Sequence, residues 1–246
     1  MKTGILFGVW PYVAILLFLG GLSLRCWLAG KRVGLLNLEF NRAKELFRGG
    51  RVWRLSLLLL LLGHLAGLLF PQQILLWNAV PLRLYGLEAC FFAIGAVGLA
   101  GCCGLIWRHL GRSKGSVSRQ VADSAFLSLL FAAVLSGLLM AVFYRWASSW
   151  GVLTLTPYVR SLFSGNPATA LAAEMPFVTQ IHVFSSLAAL AALPFTRLAP
   201  LMVLPLRGAL ELFMKPATFL TQTARRMVES AVVKYNPALR IWPEEE

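Results

Sequence analysis

An all-α integral membrane bundle of five transmembrane helices is the predicted architecture, with the N-terminus outside and the C-terminus in the cytoplasm. Three observations lead to it. The 246 residues are 58% hydrophobic and only 13% charged, against about 25% charged in a soluble domain. Five apolar segments, roughly 5–28, 53–70, 84–107, 123–144 and 176–196, approach or exceed the ~20 residues that a helix needs to cross a bilayer. The basic residues are segregated: of the 23 Lys and Arg, all but Lys2, Arg83, Arg145 and Arg160 fall in 25–54, 108–119 and 197–246. That bias puts those three regions on the cytoplasmic side. In lipid each span must satisfy its own backbone, which a helix does.

The first segment follows a single basic residue, Lys2, carries no small-residue cleavage site and is longer than a signal core. It reads as a retained span, not a leader. The next stretch, "VGLLNLEFNRAKELFRGG" at 33–50, alternates apolar and basic residues with helical period. Two readings stay open for it: a helix lying on the membrane surface, or a docking element for a soluble partner.

The second segment, "RVWRLSLLLLLLGHLAGLLFP", starts on arginines and stops at Phe70-Pro71, because proline breaks the hydrogen-bond ladder. His64 stands six residues before that stop, about 10 Å inside the outer end. The third segment places Ala96, Ala100 and Gly104 at every fourth position, with Gly101 beside them, and the fourth carries Ser136-Gly137. Small residues at such spacing let helices approach closely in lipid. The fifth opens at Pro176, a good first-turn residue, and His182 follows six residues later at a similar depth. His109, in the basic stretch "WRHLGRSKG", reads as a solvated loop residue. After the last span, residues 1–204 give way to a basic tail, 205–246, in which Leu206, Leu210 and Phe213 keep helical spacing until Pro216.

The net charge of +13 is a consequence of this topology and not the footprint of a nucleic-acid partner. The four cysteines, Cys26, Cys90, Cys102 and Cys103, form no CxxC and read as small packing residues. Iron–sulfur chemistry, which needs convergent thiolates, is therefore expected on another chain.

A polar side chain inside a bilayer is costly and is a functional candidate. Three readings compete for His64 and His182: hydrogen-bonded glue between helices, a proton or ion path, and axial ligation of haem iron. Glu88, Asp123 and Glu174 lie near helix ends or in the outer third, which argues against a transport path.

Read in order, "WPYVA" at 10–14, "SLRCW" at 23–27, "GHLAGLLFP" at 63–71, "ADSAFLSLL" at 122–130 and "IHVFSSLAALAALPFTRL" at 181–198 resemble the gamma subunit of respiratory nitrate reductase. They also resemble its relatives, the membrane cytochromes of Dsr-type and heterodisulfide-reductase-type complexes. The resemblance covers nearly the whole chain. It implies a multi-pass subunit of the inner (cytoplasmic) membrane that does no substrate chemistry itself. Such a subunit exchanges electrons with quinol or quinone and passes them to or from a cytoplasmic iron–sulfur subunit through b-type haem.

The family holds two haems with four histidines. By resemblance His64 matches the second-helix ligand and His182 the fifth-helix ligand, each belonging to a different haem. The other two positions depart: Arg54 stands ten residues before the "GH", and Ser164 stands in "FSGN" where the family has histidine. Three outcomes follow: one haem b shared by His64 and His182, which is the favoured count; one or two haems with incomplete ligation; or a haem-free anchor that holds a redox enzyme at the membrane. The resemblance also points to Arg83, in "VPLRLYG", as a quinone-binding residue. An arginine beside Tyr85 and Trp77 is equally what any membrane boundary carries.

Overall fold

A computed structural model describes residues 4–31, 51–111, 117–144, 147–196 and 199. They fall within one compact unit, Met1–Leu201. The amphipathic stretch 33–50 and the tail 205–246 lie outside the described residues.

The described chain is helical, with no strand. A π-helical turn, Ile5–Val9, runs into α1 (Trp10–Lys31), followed by α2 (Arg51–Leu69), α3 (Pro71–Asn78), α4 (Pro81–Gly111) and α5 (Val117–Phe143). Then come α6 (Ala147–Trp150), a second π-helical turn (Gly151–Leu155), α7 (Thr156–Phe163), α8 (Thr169–Ala173), α9 (Phe177–Ala192) and a 3-10 turn (Leu193–Phe195). Five of these helices are long and apolar enough to cross a membrane, over Ile5–Arg25, Val52–Leu69, Pro81–His109, Gln120–Phe143 and Phe177–Phe195. Each lies within a few residues of a segment expected from the sequence. Proline sets several of the boundaries. Phe70 leaves helical geometry (φ −122°, ψ 52°) and Pro71 restarts the chain as α3, where its missing N–H costs nothing.

The spanning helices pack in a row: α2 on α4, α4 on α5, α5 on α9, and α9 on α1. Glycines set the closest approaches. The indole of Trp53 sits where a side chain at Gly101 would go, and the Phe91 ring does the same at Gly63. Of the small residues on α4, Gly101 meets a neighbour, whereas nothing stands within 4 Å of a Cβ built at Gly104. The Trp53 Nε1–H donates to Cys102 Sγ at 3.4 Å. Around this contact Leu105, Phe126, Leu127, Val134 and Ala189 form a buried cluster drawn from α2, α4, α5 and α9.

A second buried cluster, Phe7, Tyr158, Ala172, Met175 and Val183, lies at the end of the bundle where α2 finishes and α9 begins. We call this the distal end. Here α7 and α8 pack on the start of α1. The Tyr158 hydroxyl donates to Phe7 O at 2.7 Å. Burial, and secondarily the Tyr12 phenol, push its pKa up to about 12, so it stays a protonated donor. At the same end Glu88 accepts from Ser148 N at 3.2 Å and Ser148 Oγ at 3.0 Å. Asn78 Nδ2 donates to both Ser148 and Ser149, which ties α3, α4 and α6 together. His109 departs from its expected place in a solvated loop. It belongs to the last turn of α4, where Nε2 pairs with Ser124 Oγ of α5 at 2.9 Å.

Candidate functional site

α2 and α9 each bring one imidazole to the same place. The His64 and His182 rings lie 5.8 Å apart, centroid to centroid, with their planes within 20°. α2 and α9 are not among the closely packed helix pairs of the described residues, so the rings meet where the two helices stand apart. His64 is exposed and His182 half-buried in the chain alone.

Each ring is held the same way. His64 Nδ1 lies 2.6 Å from Leu60 O, one turn back on its own helix. His182 Nδ1 lies 2.8 Å from Ala133 O of α5. A carbonyl can only accept, so Nδ1 carries a proton in both rings, and in the neutral tautomer this selects, Nε2 keeps its lone pair. Neither Nε2 has a hydrogen-bond partner among the described residues. α5 shapes the His182 seat further. Ser136 turns its hydroxyl onto Ala132 O at 2.6 Å and lies 3.4 Å from His182 Nδ1. Gly137 leaves the ring its space, since a Cβ there would stand 3.1 Å from Cε1 and 3.3 Å from Nδ1.

The chemistry of this arrangement is specific. In that tautomer the two imidazoles offer two nitrogen lone pairs on apolar spans, Val52–Leu69 and Phe177–Phe195. A structural tetrahedral ion site needs four protein ligands, and no group of three or more His, Cys, Asp or Glu that could hold a metal occurs among the described residues. Haem iron brings its own four equatorial nitrogens and takes one or two axial ligands from protein. An Nδ1–H bound to a backbone carbonyl is the second-shell contact that fixes the tautomer of an iron-binding histidine. The donor set fits haem.

The other expected residues lie elsewhere. Arg54 is exposed in the first turn of α2, ten residues from His64, which is about 15 Å along the helix. Ser164 is exposed in the turn after α7, and its hydroxyl donates to Ser161 O of the same segment at 2.9 Å. The resemblance places His64 and His182 on different haems; in the structure the two rings lie 5.8 Å apart with nearly parallel planes. Arg83 is exposed near the start of α4, with its guanidinium 5.2 Å from the centroid of the Trp77 ring, a cation–π contact. Cys102 is buried, while Cys90 and Cys103 are exposed.

Sequence reasoning missed the carbonyls of Leu60 and Ala133, because a backbone acceptor leaves no signature in residue type. It noticed Ser136-Gly137 only as a packing motif. It also missed α7, whose Thr156 and Arg160 reach the end of α2.

The chain is similar to known proteins over most of its length. A family profile described as "Nitrate reductase gamma subunit" matches residues 3–214. The nitrate reductase gamma chain of Bacillus subtilis (strain 168) is 27% identical over 219 residues, covering 84% of this chain and 94% of that one. The nitrate reductase-like protein NarX of Mycobacterium tuberculosis (strains CDC 1551 / Oshkosh and ATCC 25618 / H37Rv) is 29% identical over 157 residues, covering 60% of this chain but only 23% of NarX. Because the profile match runs from residue 3 to residue 214 and takes in all five spanning helices and both facing histidines, the chain belongs to the nitrate reductase gamma subunit family.

Proposed function

We propose that this chain is the membrane electron-transfer subunit of a redox complex, carrying electrons between the quinone pool and a cytoplasmic iron–sulfur subunit through one b-type haem held by His64 and His182. The observation that carries this reading is the pair of facing imidazoles, each with Nδ1 on a backbone carbonyl and Nε2 free. A haem bound there would accept and release one electron at a time. The chain's own residues do the rest. His64 and His182 present their Nε2 atoms, and Leu60 O and Ala133 O hold the ring orientations. The leucines of α2 keep water away, which tunes the potential of the bound iron.

Sharing one haem accounts for the departures at Arg54 and Ser164, since neither side chain is a useful iron ligand. The membrane is the inner one, with the distal end on the outer side as the basic residues indicate. Arg83, whose guanidinium lies over Trp77 at that end, would donate to a quinone oxygen. The tail 205–246 and the inner loops 29–52 and 108–121 supply the basic surface for the iron–sulfur partner.

The anchor reading treats the histidines as glue. The His182 Nδ1–H does tie α9 to α5 through Ala133 O, but His64 spends its Nδ1 proton on Leu60 O of its own helix and so joins no second helix. A reduced-minus-oxidised optical spectrum of the purified complex decides between the two. A b-type α-band is the expected result, and its absence would make the chain an anchor.

A milder perturbation reports on the His182 seat. Gly137→Ala inserts a methyl against Cε1 and Nδ1, tighter than ordinary contact. Disturbing the shell behind a metal ligand costs about 10–100-fold in metal affinity. The expected outcome is a chain that still inserts in the membrane but retains about tenfold less haem, read as haem per chain after purification. Wild-type retention would show that the seat tolerates the methyl.

A further inference from the structure

The end of α2 carries a feature that electron transfer through His64 and His182 leaves unexplained. The last four carbonyls of a helix have no donor from within it. Phe70 N takes Ala66 O at 2.8 Å. The next two carbonyls are met by α7: Thr156 Oγ1 reaches Gly67 O at 3.3 Å, and Arg160 Nη2 reaches Leu68 O at 3.0 Å. Leu68 is four residues beyond His64, so it lies on the same face of α2, about 6 Å further along. α7 therefore sets a guanidinium on the distal rim, above the imidazole pair.

A cap needs no charge, as Thr156 shows with a hydroxyl at the neighbouring carbonyl. Arg160 is exposed, and its guanidinium has no partner beyond Leu68 O among the described residues. A guanidinium carries five N–H donors in a planar fork, and one carbonyl occupies only one of them. The chain otherwise concentrates its cations toward the opposite end. On the distal side the segregation of basic residues leaves only Lys2, Arg83, Arg145 and Arg160, and Arg83 is stacked on Trp77.

We propose that Arg160 binds the propionate carboxylates of the haem held by His64 and His182; this rests on the haem reading above. Haem b carries two carboxylates on one edge. In an apolar bundle that edge must face the polar rim, where an unpaired carboxylate would be costly. The free edge of the Arg160 fork matches a carboxylate bidentately. The fixed positive charge then favours the reduced iron, because reduction adds an electron next to it.

The test is a redox titration of the α-band in the purified intact complex, together with haem per chain and the resonance Raman propionate bending band, for wild type, Arg160→Gln and Arg160→Lys. Glutamine can still donate to Leu68 O but lacks the charge. Arg160→Gln is expected to lower the midpoint potential and shift the propionate band, and Arg160→Lys to restore much of the potential. If Arg160→Gln fails to accumulate, Arg160→Lys decides through the Raman band, which must shift as the fork is lost. A potential and a band unchanged in Arg160→Gln, or a band unchanged in Arg160→Lys, would overturn the assignment and leave Arg160 a helix cap. A wild-type complex without an α-band would instead sink the haem reading itself, and this assignment with it.

Discussion

If one haem is shared as proposed, changing either His64 or His182 to alanine should abolish the whole b-type haem signal of the membrane fraction, and neither change should leave half of it. The reason is the pairing: the two rings lie 5.8 Å apart and, on the proposed reading, hold one iron between them. Losing an outer-shell partner of a metal ligand already costs about 10–100-fold in affinity, so losing the ligand itself should cost at least ~100-fold. The chain should still insert. Each imidazole gives its helix one hydrogen bond to a carbonyl, worth about 0.5–1.5 kcal/mol, which is small beside the packing of five spans. Pyridine haemochrome assays against immunodetected chain check both halves of this expectation. Two variants that each keep half of the wild-type haem would show two separate sites, as the family resemblance had placed them.

The second large effect lies in the buried cluster around Trp53. Gly101→Ala drives a methyl into the Trp53 indole. The ring is buried and donates to Cys102 Sγ, so it cannot move without losing both its packing and its acceptor. Overpacking costs about 1–3 kcal/mol, and stranding a buried donor costs a similar ~1–3 kcal/mol. Gly104→Ala is the control, one turn along the same helix, with nothing within 4 Å of its new methyl. Thermal unfolding in detergent should show a clear drop for Gly101→Ala and little change for Gly104→Ala. Equal stabilities would mean that α2 and α4 do not meet through Gly101.

These two cases mark how far a sequence of this kind can be read. The five spans were legible because lipid allows one solution: an apolar run of sufficient length must close its own hydrogen bonds as a helix. Pro71, read as the stop of the second span, and Pro176, read as the opening of the fifth, both mark boundaries that the structure keeps. The two histidines stood out for the same reason, as polar side chains deep in oil, and their similar depth followed from counting residues to Pro71 and Pro176.

Rotation about the helix axes was not legible. Depth follows from the number of residues, but the face a residue presents depends on which neighbour its helix packs against. So the sequence left His64 and His182 open to three readings, and only the packing of α9 on α5 turns His182 over Gly137 and onto Ala133 O. Gly101 and Gly104 are equivalent as letters; Trp53 separates them. Arg160 could be assigned to a side of the membrane from charge, yet its seat on Leu68 O joins residues 92 positions apart. Solvent and lipid act on each residue singly, and that part of the architecture is written locally. The site is made by backbone carbonyls and helix faces meeting at a distance, and these take their positions only when the bundle is assembled.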